Sequence, residues 1–307
     1  MNPRLFLFTA ALAAAVPGIP ARADEPPGAV PIVAPAPSAS GSPAPGSSAP
    51  PASDEPSTVL EVDASSIGFS PGSVFGPWQF LTVAGRTIAG PNDKPGFATV
   101  VRADHDSGFP TSGTWYSLDD YHTFSNGLFV YAQLQASSGT IFPRRGAYAE
   151  ADPTVLPNFV FAVGGGELVS YAGLVQRYLN VGPTLYFPHG NATLRYLPLW
   201  TQGQVSASSL LGTVELGDEG RSTWTLSVQD GVEPAFEVND PFVAATTQER
   251  TFVADLSFRH WITPRFGYVI SGELGDQHDR FTGVPVYARR GATVGLFWGF
   301  GHAAAAP

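Results

Sequence analysis

From Phe252 to Phe258 every second residue is apolar (Phe252, Ala254, Leu256, Phe258), and the residues between and after them include Asp255, Ser257 and Arg259. A period of two belongs to a β-strand with two unlike faces; an amphipathic helix would repeat its apolar residues at three and four. After Thr263-Pro264 the alternation resumes, with Phe266, Tyr268, Ile270 and Leu274 against Arg265, Ser271 and Glu273. STWTLSVQ (222–229) sets Trp224, Leu226 and Val228 against Thr223, Thr225, Ser227 and Gln229. LFVYAQLQAS (128–137) sets Leu128, Val130, Ala132, Leu134 and Ala136 against Phe129, Tyr131, Gln133, Gln135 and Ser137. Beyond about residue 57 no segment carries a helical period.

Fourteen such runs are legible, each closed by Gly, Pro, Asn or Asp. They are 58–69, 76–89, 96–105, 112–123, 126–137, 143–152, 157–165, 169–187, 190–200, 205–216, 221–230, 250–262, 264–276 and 286–300. The first, third and sixth are the weakest, so twelve strands is the alternative count. The connections alternate in length. Pro188-His189, GDEG (217–220) and Thr263-Pro264 are tight, whereas TQGQ (201–204), 231–249 and 277–285 are longer. Short turns at one end and long loops at the other are the habit of a transmembrane barrel.

A soluble sandwich also alternates, but its wet face needs charge. Here only 14 % of residues are charged and Lys94 is the sole lysine. A lumen of limited area, lined by Gly, Ser, Thr, Gln and paired charges, fits that composition better. Closure also removes edge strands that would otherwise pair with other chains. The fold expected is all-β, a transmembrane antiparallel up-and-down barrel of about fourteen strands.

The ends of the chain read differently. Arg4, the apolar core Leu5–Val16 and Ala21-Arg22-Ala23 form a secretory signal with an A-x-A cleavage site, 1–23. The core is too short to span a bilayer. Residues 24–57 hold ten Pro among 34 positions, mixed with Ala, Ser and Gly. Such a segment cannot bury enough apolar surface to offset its ordering entropy, and it reads as a disordered linker. The barrel then spans 58–302, with a short tail, 303–307. An exported chain without cysteine has no disulfide framework. Losing residues 1–23 takes two arginines and no acid from a chain of charge −10, which leaves −12. That balance argues against nucleic acid as a partner.

In YARRGATVGLFWGF (287–300), Val294, Leu296, Trp298 and Phe300 share one face, with Arg289, Gly291, Thr293, Gly295 and Gly299 on the other. Polar residues, a glycine, and apolar alternation ending in an aromatic resemble the C-terminal assembly signal of outer-membrane barrels. The signal residues are Gly291, Val294, Leu296, Trp298 and Phe300. Here seven residues follow the aromatic, Gly301 to Pro307. FPRRGAYAEADPTVLPNFVFAVGGG (142–166), NATLRYLPLW (191–200), RTFVADLSFRHWITPRFGYVISGELGD (250–276) and that last strand resemble the YaiO-type outer-membrane β-barrel family. The likeness spans about residues 58–300 and is nearest at the HW-x-TPR-x-G turn and the final RRG strand. It implies the outer membrane of a Gram-negative bacterium, outer-membrane lipid and the barrel assembly machinery as partners, and a monomer. It implies no reaction. Some relatives stand alongside surface-polysaccharide functions, which makes a surface polysaccharide a candidate partner.

The chemistry-bearing residues are sparse. His105, His122, His189, His260, His278 and His302 form no H-x-x-x-H pair, and there is no phosphate loop or G-x-S-x-G. No metal, cofactor or catalytic residue is therefore assigned. His105 and Ser107 fall in a loop, where an enzyme acting on lipid or peptide at the rim would place such a pair. GGG at 164–166 reads as a strand end. By the alternation Arg195, Glu215, Asp255, Arg259, Glu273 and Arg289 line the lumen, where mixed signs must pair. Phe129, Tyr131 and Trp261 point inward with them. Trp78, Trp200 and Trp298 fall near strand ends and suit interfacial girdles. Two functions follow: a non-enzymatic narrow channel, export port or structural barrel, or the rim enzyme.

Overall fold

The computed structural model describes residues 56–301 except 71–76, 90–91, 107–108, 140, 172, 174, 202–206, 219–220, 235–247 and 280. The export signal 1–23, all but the last two residues of the linker 24–57, Ser107, and residues 302–307 lie outside that set.

Among the described residues fifteen strands form: β1 Thr58–Ser70, β2 Trp78–Thr87, β3 Gly96–Asp106, β4 Phe109–Thr123, β5 Phe129–Ser138, β6 Arg145–Asp152, β7 Thr154–Leu156, β8 Phe159–Val169, β9 Val175–Phe187, β10 Gly190–Thr201, β11 Ala207–Asp218, β12 Ser222–Pro234, β13 Gln248–Thr263, β14 Phe266–Asp279 and β15 Pro285–Phe300. Neighbours pair antiparallel, β6 pairs with β8, and β1 pairs with β15, so fourteen strands close a ring. The three-residue β7 pairs only with β8, through a Pro157-Asn158 turn in which Asn158 takes φ 66°. Left-handed backbone costs asparagine less than most side chains.

The alternation becomes two continuous belts. Leu226, Leu256, Gly272, Ala292 and Ser66 lie in one row across β12, β13, β14, β15 and β1. The next row is Ser227, Asp255, Glu273, Gly291 and Ile67. The first row faces out and the second faces in. Outward leucines are open, with Leu118 at 68 %, Leu134 at 66 % and Leu274 at 60 % exposure. The enclosed residues are on the inside: Trp78 and Phe297 at 0 % and Arg102 at 1 %. A soluble fold inverts that distribution.

Both termini of the ring, Thr58 opposite Phe300, lie at the end that is closed by short turns in the C-terminal half; in the N-terminal half the alternation of lengths fails, since eight residues join β2 to β3 at this end and two join β3 to β4 at the other. Phe187 and Gly190 close over Pro188-His189, and Thr263 and Phe266 close over Pro264-Arg265. Several strand limits differ from the sequence expectation. Residues 124–128 form a turn, with Phe124 N donating to Leu128 O and Gly127 at φ 79°, so β5 starts at Phe129. β9 begins at Val175 because Ser170 and Gly173 close a turn behind β8. β12 and β13 run further into the long loop than expected, leaving 235–247 between them.

Candidate functional site: the inner wall

The inner wall is built from side chains that a two-residue period drives to one side of each strand. At the short-turn end Arg259 of β13 pairs with Glu61 of β1, and its guanidinium lies 3.7 Å above the ring of Phe297 on β15. Trp261 meets the same ring edge-on, with centroids 4.5 Å apart. A cation on an aromatic face gains from the ring quadrupole while its carboxylate partner limits the cost of enclosing the charge. The intervening β14 carries Gly267 there, where a Cβ would run into Phe297. Further along, Arg289 of β15 pairs with Glu273 of β14 at 2.9 Å, with Asp255 opposite Glu273 in register. Glycines on the inner face of β15 make room for these groups. Gly291 faces Ile67 and Glu273, and Gly295 faces the Asp63 carboxylate.

On the adjoining wall, beyond β1, Arg86 of β2 pairs with Asp119 of β4 and lies 4.5 Å from the ring centre of Tyr121. Aromatic rings continue round the wall through Tyr131, Tyr148 and Tyr178, with centroid spacings of 4.5, 5.9 and 5.6 Å. Tyr148 donates to Glu150, and Asn180 Nδ2 donates to both the Tyr148 hydroxyl and Glu150, each at 2.7 Å. The GGG segment is not a strand end; it sits in the middle of β8. A Cβ at Gly164 would stand 2.7 Å from the Tyr148 hydroxyl, and one at Gly166 would stand 2.7 Å from Tyr178. The glycines are required by close approach, because the tyrosines lean across them.

The six charges read from the alternation are therefore gathered unevenly. Arg289 and Glu273 meet, with Asp255 beside them; Arg259 is held by Glu61. Arg195 is 9 % exposed and donates to the carbonyls of Gly182 and Pro183 at 2.8 and 2.9 Å and to Thr184 Oγ1 at 3.1 Å. Glu215 is two inward rungs away from it on β11. Glu61, Asp63, Arg86, Arg102, Asp119, Glu150 and Asp152 belong to the same wall and escaped the sequence reading. Their signal was present: E-x-D at 61–63 and again at 150–152 puts two acids on one face of a strand. Both pairs lay on runs whose alternation is blurred by alanines and serines. Trp78 is not an interfacial residue. It is buried inside, with Arg102 3.8 Å above it and Phe69 at 4.4 Å. Trp200 and Trp224 are outward and 45 % and 49 % exposed.

Two histidines make polar contacts near the short-turn end: His122 Nδ1 lies 2.6 Å from Asp93, and His260 Nδ1 lies 2.8 Å from Ser222 Oγ. No third group orients His260 among the described residues; its other neighbours are the rings of Phe258 and Tyr268. The described residues hold no group of three or more metal-ligating side chains. The side chain of His105, like Ser107, lies outside them.

A closed antiparallel ring with an apolar outside and a polar inside satisfies every backbone group without water and is a transmembrane outer-membrane barrel. The chain belongs to the YaiO membrane β-barrel family, whose model matches residues 58–236, and it resides in the outer membrane of a Gram-negative bacterium. No curated protein matches it significantly. Among solved structures it is similar to the CymD monoaromatic hydrocarbon channel, at 10 % identity and TM-score 0.52, over 81 % of this chain and 90 % of that one. It is also similar to a bacterial polysaccharide outer membrane secretin, at 9 % identity and TM-score 0.46, over 81 % of this chain and 100 % of that one. The outer membrane protein Omp33 of Acinetobacter baumannii aligns at 12 % identity and TM-score 0.43, over 81 % and 100 %. At such identities the likeness is one of fold. Barrel convention makes the short-turn end periplasmic and the long-loop end external.

Proposed function

We propose that the chain is a non-enzymatic barrel that passes small solutes through a narrow lumen. The observation that carries this reading is the wiring of the inner wall. Arg259, Arg289 and Arg86 each pair with a carboxylate on another strand, and aromatic rings fill the space between them. Charges fixed against one another line a path more readily than they carry out proton transfer. On the same wall the acids Asp63, Glu150, Asp152 and Asp255 outnumber the further arginines Arg102 and Arg195, so the path favours cations weakly. A ring complete within one chain supports a working monomer. The closing strand β15 supports insertion by the barrel assembly machinery, with outer-membrane lipid as the surrounding partner. The other reading is a hydrolase at the rim, with Ser222 and His260 as nucleophile and base. It lacks an orienting acid among the described residues, and that third group is what activates such pairs.

Refolded protein in planar bilayers is expected to give a small, steady conductance with a modest cation preference and to release nothing from lipid or ester substrates. Absence of conductance, or substrate turnover that disappears in Ser222→Ala, would replace the pore by the enzyme.

A further inference from the structure

We propose that the inner wall from β4 to β9 is a binding track for an uncharged saccharide chain. Four tyrosines come from β4, β5, β6 and β9, and their rings follow one another round the wall at 4.5, 5.9 and 5.6 Å. The intervening β8 contributes Gly164 and Gly166, and any Cβ there would collide with Tyr148 or Tyr178. Those two rings are within 6° of parallel and lean over the glycine backbone from either side. Both tyrosines stay half-buried on the inner face, so part of each is open to the lumen. Sugar rings present apolar C–H faces that lie on aromatic rings, with hydroxyls at the edges that need both donors and acceptors.

The edges are provided. Glu150 and Asn180 stand beside the Tyr148 ring, joined by bonds of 2.7 Å from Asn180. The Tyr131 hydroxyl and Asn180 Oδ1 are enclosed yet bond to nothing in the protein, leaving one donor and one acceptor for a ligand. Enclosed polar groups without partners are uncommon enough to need a reason. Charge fixes the class. From β4 to β9 the wall holds Asp119, Glu150 and Asp152; Arg86, from β2, is already paired with Asp119, and Arg195, from β10, is bonded to the β9 carbonyls of Gly182 and Pro183. An anionic sugar would meet net repulsion; an uncharged one loses nothing.

The inference rests on the pore reading, because the ligand reaches the track through the lumen. It is tested on the full refolded barrel with maltohexaose as the probe and oligogalacturonate as its anionic counterpart. Maltohexaose should block the bilayer current reversibly, oligogalacturonate should not, and Tyr148→Ala or Tyr178→Ala should weaken the block on the order of tenfold, the worth of one aromatic contact. Tyr148→Phe should keep most of the block, which separates ring stacking from loss of fold. Heat-modifiable gel migration checks that each variant is folded. A conducting barrel that maltohexaose leaves open, alanine variants that maltohexaose blocks as strongly as the unaltered barrel, or an equal block by oligogalacturonate would overturn the track and leave the pore standing. If no current flows, the pore falls, and calorimetric titration in detergent decides the track: binding lost in the alanine variants upholds it, and no binding refutes it.

Discussion

At the scale of single residues, one step along a strand decides between lipid and water. Leu256 is outward and 48 % exposed, whereas Ser257 is in the inward row with Thr225 and Ser271. Leu256→Arg should lower unfolding stability by about 2–4 kcal/mol if it lies near the bilayer midplane, and Ser257→Arg should cost clearly less. Urea titration of the refolded proteins reads both; the reverse order would place the register off by one. Arg259 gives a second test. Its truncation leaves Glu61 with an uncompensated charge beside Phe297. Arg259→Ala should cost about 1–3 kcal/mol, and the double variant with Glu61→Ala should recover part of that. Strict additivity in the double-mutant cycle would show that the pair is not coupled. Much of this was legible in the sequence. The inward faces of β13 and β14 could be read directly, because Asp255 and Glu273 are each flanked by apolar residues. The partner Glu61 was not, because pairing of β1 with β15 is a consequence of closure and leaves no mark on local spacing.

At the scale of elements, β15 joins the two ends of the chain. It pairs with β14 through Phe266 opposite Trp298, and with β1 from Thr58 opposite Phe300 to Ser70 opposite Ala288. Its inner face alternates glycine with Arg289, Thr293 and Phe297, and the glycines admit side chains from both neighbours. Its outer face carries Val294, Leu296, Trp298 and Phe300, of which Phe300 is 46 % exposed. We propose that this outer face is what the assembly machinery reads. Phe300→Ala should lower the heat-modifiable fraction in cells while leaving refolding into detergent micelles near normal. Equal loss in both settings would assign Phe300 to barrel stability. The strand was readable because its alternation is long and uninterrupted. The GGG of β8 was misread because glycine spacing cannot reveal that Tyr148 and Tyr178, from strands on either side, need the room.

At the scale of the whole molecule, one property underlies the others: a two-residue period divides this chain into an outer, lipid-side face and an inner, polar wall. The closed ring with its apolar outside accords with it, and so does the crowding of Arg, Glu, Asp and Tyr on the inside. The chain has no cysteine of its own, so single cysteines can be introduced one at a time along β13 without background. The most direct measurement is labelling of positions 253–258 in outer-membrane vesicles by a membrane-impermeant maleimide. Val253→Cys, Asp255→Cys and Ser257→Cys should label in the folded state, while Ala254→Cys, Leu256→Cys and Phe258→Cys should react only after denaturation. Uniform protection, uniform labelling or the inverted pattern would contradict the division of faces.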